Sequence, residues 1–158
     1  MNTFATAATF LIQSLGSLYL SILVLRFLFQ LVQADFQNPI SQFLIRATHQ
    51  PSRPIRKLLP TYRNFDGATL LLAVLVQWLT IQLSATVNGA GLINPGFVLT
   101  WGVLGILMLT INIYLYGTLA VIIISWVAPQ TRHPAIVLLN QLIEPALSPF
   151  RRIIPPIA

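Results

Sequence analysis

The sequence predicts an all-α membrane protein with about three transmembrane helices plus two short interfacial amphipathic helices. Of its 158 residues, 56% are hydrophobic and only 8% are charged, and the mean hydropathy is +0.78. A soluble domain has about a quarter of its residues charged, so the composition excludes that class. Three long apolar runs and an internal repeat, described next, predict the number of spans and their arrangement as two tandem parallel repeats.

Each of the three apolar runs is long enough to cross the hydrocarbon core, which takes about 20 helical residues. The first covers about residues 4–32 and contains a single charged residue, Arg26. The second covers 68–87, and the third covers 97–127 after the turn signal that begins at Asn94. These runs are the predicted membrane spans.

The third run predicts a helix about 46 Å long, which must tilt, protrude or break. A break at Gly102, Gly105 or Asn112 would give a re-entrant pair or two short spans. Trp101 and Trp126 favour one tilted helix, because aromatic anchors about 37 Å apart along its axis suit the two membrane interfaces. Both alternatives stay open from the sequence.

The basic residues predict the orientation. The chain has nine Lys and Arg and three Asp and Glu, which give a formal net charge of +6. The basic residues cluster between the first two spans and after the third. Segment 88–95 contains none. Cytoplasmic loops carry the excess of Lys and Arg, so we expect a cytoplasmic C-terminus and an outside N-terminus.

An internal repeat appears when residues 19–60 are aligned with 114–155. The alignment places Pro39 on Pro134, and it places the basic pair Arg56-Lys57, with Pro60 three residues on, over the pair Arg151-Arg152 and Pro155. We assign residues 1–92 to the first repeat and 93–158 to the second, which stops before a counterpart of the second span. Two spans per full repeat make the copies parallel, unlike inverted-repeat transporters.

Each repeat predicts a short amphipathic helix after its first span, over about 39–50 and 134–147. Asn38 is a good N-cap and Pro39 occupies the first helical position, with apolar residues following at helical spacing. Such a helix can sink its apolar side into the headgroup region while cations such as Arg56, Lys57, Arg151 and Arg152 meet anionic phosphates. It can equally be a cytoplasmic cap that packs on the span ends.

Two features inside the spans are candidate sites. Arg26 is an intramembrane charge and therefore a functional candidate by default, although a snorkelling, structural role competes. In the second span a stripe of small and polar residues follows helical spacing and predicts helix packing, with a pore lining as the alternative. The stripe consists of Ala73, Gln77, Thr80 and Ser84.

Nothing in the sequence indicates catalysis. There is no cysteine, the three acids Asp35, Asp66 and Glu144 stand apart, and neither histidine has a second ligand at metal-binding spacing. We therefore expect no enzyme, no metal, no cofactor and no buried charge network. Because the basic clusters flank spans, the expected partner is anionic lipid and not nucleic acid.

Two motifs carry a family resemblance. The segment Asp35-Phe36-Gln37-Asn38-Pro39 and the segment from Glu144-Pro145 through Pro149 and Arg151-Arg152 to Pro155 resemble the YggT (YlmG-related) family of bacterial integral membrane proteins. The resemblance implies the bacterial inner membrane and two tandem copies of this unit. It also implies links to osmotic or ion-stress tolerance, to cell division and, in photosynthetic lineages, to thylakoid and nucleoid organisation.

Two functions follow as hypotheses. The first is a non-enzymatic membrane organiser or scaffold that contacts anionic lipid and assembles as a homo-oligomer or with a partner membrane protein. The alternative is an oligomeric small channel, or an accessory of ion transport, motivated by Arg26 and Gln77.

Overall fold

The computed structural model describes residues 3–153, with side chains described through residue 149. This part of the chain forms five helices joined by short connections: α1 (Thr3–Leu31), α2 (Pro39–Leu58), α3 (Gly67–Val87), α4 (Pro95–Val127) and α5 (Pro134–Ile153). Helices α1, α3 and α4 are long and apolar enough to cross a membrane. The prediction of an all-helical protein with three helices long and apolar enough to span a membrane is confirmed.

The spans α1 and α3 form an antiparallel pair, with α4 against α3. Gly16 of α1 lies directly against the side chain of Thr80, and Gly102 of α4 lies against Gln77. A glycine at such a contact lets two helix backbones approach closely, which is how helices pack in lipid. The core of the molecule sits between α1, α3 and the two shorter helices.

Helix α4 is continuous over 33 residues, so the broken alternative is not observed. At 1.5 Å per residue its length is about 50 Å, well beyond the roughly 30 Å hydrocarbon core. Asn94 caps its first turn by accepting a hydrogen bond from the Gly96 backbone N–H at 2.9 Å. Most of α4 is exposed to its surroundings, with Gly117 packed on the side chains of Leu139 and Ile143 of α5.

Helices α2 and α5 are longer than predicted, because each continues through two internal prolines. In α2 these are Pro51 and Pro54, and proline removes a backbone donor and thereby frees the carbonyl four residues earlier. The carbonyl of Ala47, freed by Pro51, lies 3.5 Å from the hydroxyl of Tyr19 in α1. A neighbouring helix thus provides a polar partner where the proline leaves a gap.

Candidate functional site: a buried arginine and aspartate cluster beside a basic helix face

The side chain of Arg26 points into the junction of α1, α2 and α3. It is 5% exposed. Its guanidinium donates to the hydroxyl of Thr48 and lies 3.4 Å from the Ile45 carbonyl, both on α2. Its Nη2 atom lies 3.9 Å from a carboxylate oxygen of Asp66. Arg26 therefore has a charge partner and α2 partners, and it does not snorkel to the surface.

Asp66 is the centre of this cluster. It is fully buried and caps α3 by accepting hydrogen bonds from the backbone N–H and the hydroxyl of Thr69, at 3.2 and 2.7 Å. The same carboxylate accepts from the guanidinium of Arg56 in α2 at 2.5 Å. One side chain thus contacts residues from all three helices.

The surroundings of Asp66 favour its charged form. Burial would raise the pKa of this carboxyl, but the hydrogen bonds from Thr69 and the positive charge of Arg56 outweigh burial and hold the pKa below its ordinary value. The cluster therefore contains two guanidinium groups and one carboxylate.

The expectation of no buried charge network is wrong. Sequence reasoning treated Asp66 as an acid standing apart and Arg56 as a free headgroup cation, whereas the structure pairs them. Thr48 was missed altogether. The pairing of Arg26 with Asp66 could have been inferred from their positions. Asp66 immediately precedes the second span and Arg26 lies near the end of the first, so an antiparallel pair of helices brings them to similar depth.

The outward face of α2 is basic. The buried face of α2 consists of Ser41, Leu44, Thr48 and Ser52. The opposite side carries residues at steps of three, one, three and four, all of them exposed: Arg46, His49, Gln50, Arg53 and Lys57. We call these five residues the basic face. A shallow cavity of about 420 Å³ is lined by Ile45 and by the first four of them.

The residues of the repeated motif meet at the start of the two shorter helices. Asn38 accepts from the Ile40 backbone N–H at 3.0 Å, as an N-cap does, and donates to the Pro134 carbonyl at 2.9 Å. His133, one residue before Pro134, accepts from the Ala135 backbone N–H at 3.3 Å. The predicted N-cap Asn38 thus also joins α2 to α5.

The rest of that motif lies in α5. Pro145 and Pro149 are inside the helix, and Glu144 is on its exposed side. The side chains of Arg151 and Arg152, and the whole of Pro155, lie outside the described residues, so their predicted contacts with headgroups stay predictions.

The residues of the stripe predicted on the second span make separate contacts within the chain. Ala73 is in the core at 1% exposure, Thr80 meets Gly16, and Gln77 meets Gly102 and Gly105. Ser84 is buried, but its hydroxyl oxygen has no hydrogen-bond partner. Three of the four residues therefore pack helices within the chain.

No group of three His, Asp or Glu side chains in the described part of the chain comes together where it could hold a metal ion. The polar contacts of the cluster join side chains to one another and to backbone atoms of α2 and α3. This arrangement can hold α1, α2 and α3 together and leave the cations of the basic face exposed.

The chain is similar to several bacterial proteins that are described as uncharacterized. It is 41% identical over 153 residues to an uncharacterized protein of Pseudomonas aeruginosa, covering 95% of this chain and 77% of that one. It is 36% identical over 152 residues to an uncharacterized protein of Vibrio alginolyticus encoded in the proC 3' region, covering 94% and 80%.

A third relative is the uncharacterized protein YggT of Escherichia coli K12, 35% identical over 157 residues, with 98% of this chain and 78% of that protein covered. No solved structure matches the chain. The family model described as CCB3/YggT matches residues 5–87 and 100–158. The chain therefore belongs to the YggT family.

Proposed function

We propose that the protein is a non-enzymatic membrane organiser that contacts anionic lipid through the basic face of α2. The observation that carries this proposal is the pairing of an exposed cationic face with a buried opposite face on the same helix. Cations near a membrane surface attract anionic lipids by about 1 kcal/mol each. The shallow cavity beside Arg46 and Arg53 offers a place for a phosphate group.

The proposal shifts the predicted lipid contact along α2. Arg56 is held by Asp66, so we assign the headgroup contact to Arg46 and Arg53, with Lys57 on the same face. The cluster of Arg26, Arg56 and Asp66 acts as the anchor that holds this face against the spans. The ion-channel alternative rested on Arg26 and Gln77. Arg26 bonds to α2 and Gln77 contacts α4, so we place membrane organisation first.

The orientation belongs to the same proposal. An organiser that binds anionic lipid of the inner leaflet needs α2 on the cytoplasmic side, as the distribution of Lys and Arg favours. Because the chain has no native cysteine, single cysteines at the exposed positions Gln42 or Asn88 report the sidedness of α2 and of the 88–95 loop. Membrane-impermeant reagents should label the loop only from outside; labelling of both from one side contradicts the topology.

The lipid contact is tested with two charge-matched variants. Purified full-length protein in neutral detergent is titrated with phosphatidylglycerol or phosphatidylcholine, and bound lipid is measured by native mass spectrometry. Arg46→Gln/Arg53→Gln should weaken phosphatidylglycerol binding about 10- to 30-fold, as expected for two surface cations. Arg63→Gln/Arg132→Gln removes the same charge from exposed loops and should change it little. Equal effects of the two variants, or none, would contradict the proposal.

A further inference from the structure

A polar groove follows the surface between α1, α3 and α4, at the depth of the spans. It consists of two adjoining cavities of about 240 and 230 Å³, which share Ser17 and Gln77. Ser84 lies towards one end and Asn112 towards the other. Within the described part of the chain, no charged side chain lines either cavity. The groove is therefore a neutral, hydrogen-bonding surface on otherwise apolar helices.

Two polar side chains of the groove are exposed at the depth of the spans, and a third is buried without a partner. Asn112 lies near the middle of α4 and is exposed, as is Ser17 in α1. Ser84 is 8% exposed, and its hydroxyl oxygen has no hydrogen-bond partner. Acyl chains neither donate nor accept hydrogen bonds, so polar groups at this depth require a polar partner.

We infer that a second copy of this chain covers the groove, forming a parallel homodimer. Amide and hydroxyl side chains both donate and accept hydrogen bonds, so two such surfaces complement each other, and no charge opposes their approach. Polar side chains that bond across helices are a usual source of association in membranes.

Symmetry supports the same occupant. Two copies inserted in the same orientation are related by a two-fold axis along the membrane normal, and such an interface brings residues of equal depth together. Ser17 and Asn112 both line one cavity of the groove and lie near the middle of α1 and α4. A two-fold axis beside this cavity would therefore let the amide of Asn112 meet its own copy.

The inference is independent of the lipid proposal, because no residue of the groove lies on α2. It is tested by disulfide cross-linking of the full chain in liposomes at low protein-to-lipid ratio. Asn112→Cys should form a dimer on oxidation. The matched control is Leu107→Cys, which is 54% exposed on the same helix and lies about 140° around it. We expect at least fivefold more dimer for the groove variant.

Equal cross-linking of the two variants overturns the inference, as does failure of both Asn112→Cys and Ser17→Cys to cross-link. A second measurement uses Asn112→Leu, with Leu107→Ala as the control, and follows dimer dissociation by single-molecule photobleaching. Loss of one interhelical hydrogen bond should raise the dissociation constant about 3- to 20-fold. A protein that stays monomeric while a bound lipid is lost from Asn112→Leu would assign the groove to lipid and refute the dimer.

Discussion

Removing the charge of Asp66 should destabilise the protein more than any other single loss of an acid. Asp66→Asn keeps the side-chain oxygen that caps α3, since Asn and Asp are similar N-caps. It removes the counter-ion of Arg56 and Arg26 together with the acceptor of the Thr69 hydroxyl. Arg26 is 5% exposed, so its charge would be left uncompensated in a dry site. Breaking a buried ion pair in this way costs about 3–5 kcal/mol.

The measurement is the free energy of unfolding in mixed detergent micelles titrated with sodium dodecyl sulfate. The control is Asp35→Asn, because Asp35 is exposed and its carboxylate accepts only a local hydrogen bond from the Gln37 backbone N–H. A change at such a surface position stays within about 0.5 kcal/mol. Hydrogen exchange across α2 should rise in Asp66→Asn and stay unchanged in the control.

A double-mutant cycle isolates the ion pair itself. Arg56→Gln, Asp66→Asn and the combined variant should give a coupling free energy of about 0.5–3 kcal/mol, as contacting residues do. Additive effects of the two substitutions would show that this contact does not stabilise the fold. A cost for Asp66→Asn within 1 kcal/mol of the Asp35→Asn control would refute the buried-charge reasoning.

Two further predictions follow from the same contacts. The pKa of Asp66 lies below its ordinary value in the fold, so its contribution to stability is complete above the unfolded pKa of about 3.9 and is lost as the pH falls through the folded value. In an acid titration of unfolding, the difference between wild type and Asp66→Asn should therefore narrow as the pH falls below about 4, and a constant difference would contradict this. Gly16→Ala places a methyl group against Thr80 and should cost about 1–3 kcal/mol by overpacking, measured in the same micelles. Gly102→Ala, where the nearest atom of Gln77 is 3.5 Å away, should cost less, and equal costs would refute the packing argument.

The sequence predicted the spans well because a membrane-spanning helix needs a long uncharged, apolar run. The observed ends of α1, α3 and α4 differ from the predicted ones by at most two residues. Helix α2 continues eight residues beyond its predicted end, through Pro51 and Pro54. Proline usually breaks a helix by freeing a carbonyl, and only the tertiary structure shows that Tyr19 comes close to the freed carbonyl of Ala47.

The candidate site was predicted only in part. Arg26 was singled out because a charge within an apolar run needs a partner, but the partner could not be identified from spacing along the chain. Asp66 lies in another segment, and Thr48 looks like any threonine of a polar helix. Their meeting depends on how α2 packs against α1 and α3, which periodicity within one helix cannot reveal.

The position of Asp66 explains why α2 is more than a peripheral anchor. A free amphipathic helix holds itself at a membrane by sinking its apolar side into lipid. Here Leu44, with Ile40 and Ile55 beside it, packs into the core. Pulling α2 away would also remove the Arg56 partner of Asp66 and the Thr48 partner of Arg26. The cations of the basic face are therefore not needed to hold α2 in place and can bind lipid headgroups. A lipid bound there would act on a helix locked to two spans, so its effect would reach the membrane-spanning core directly.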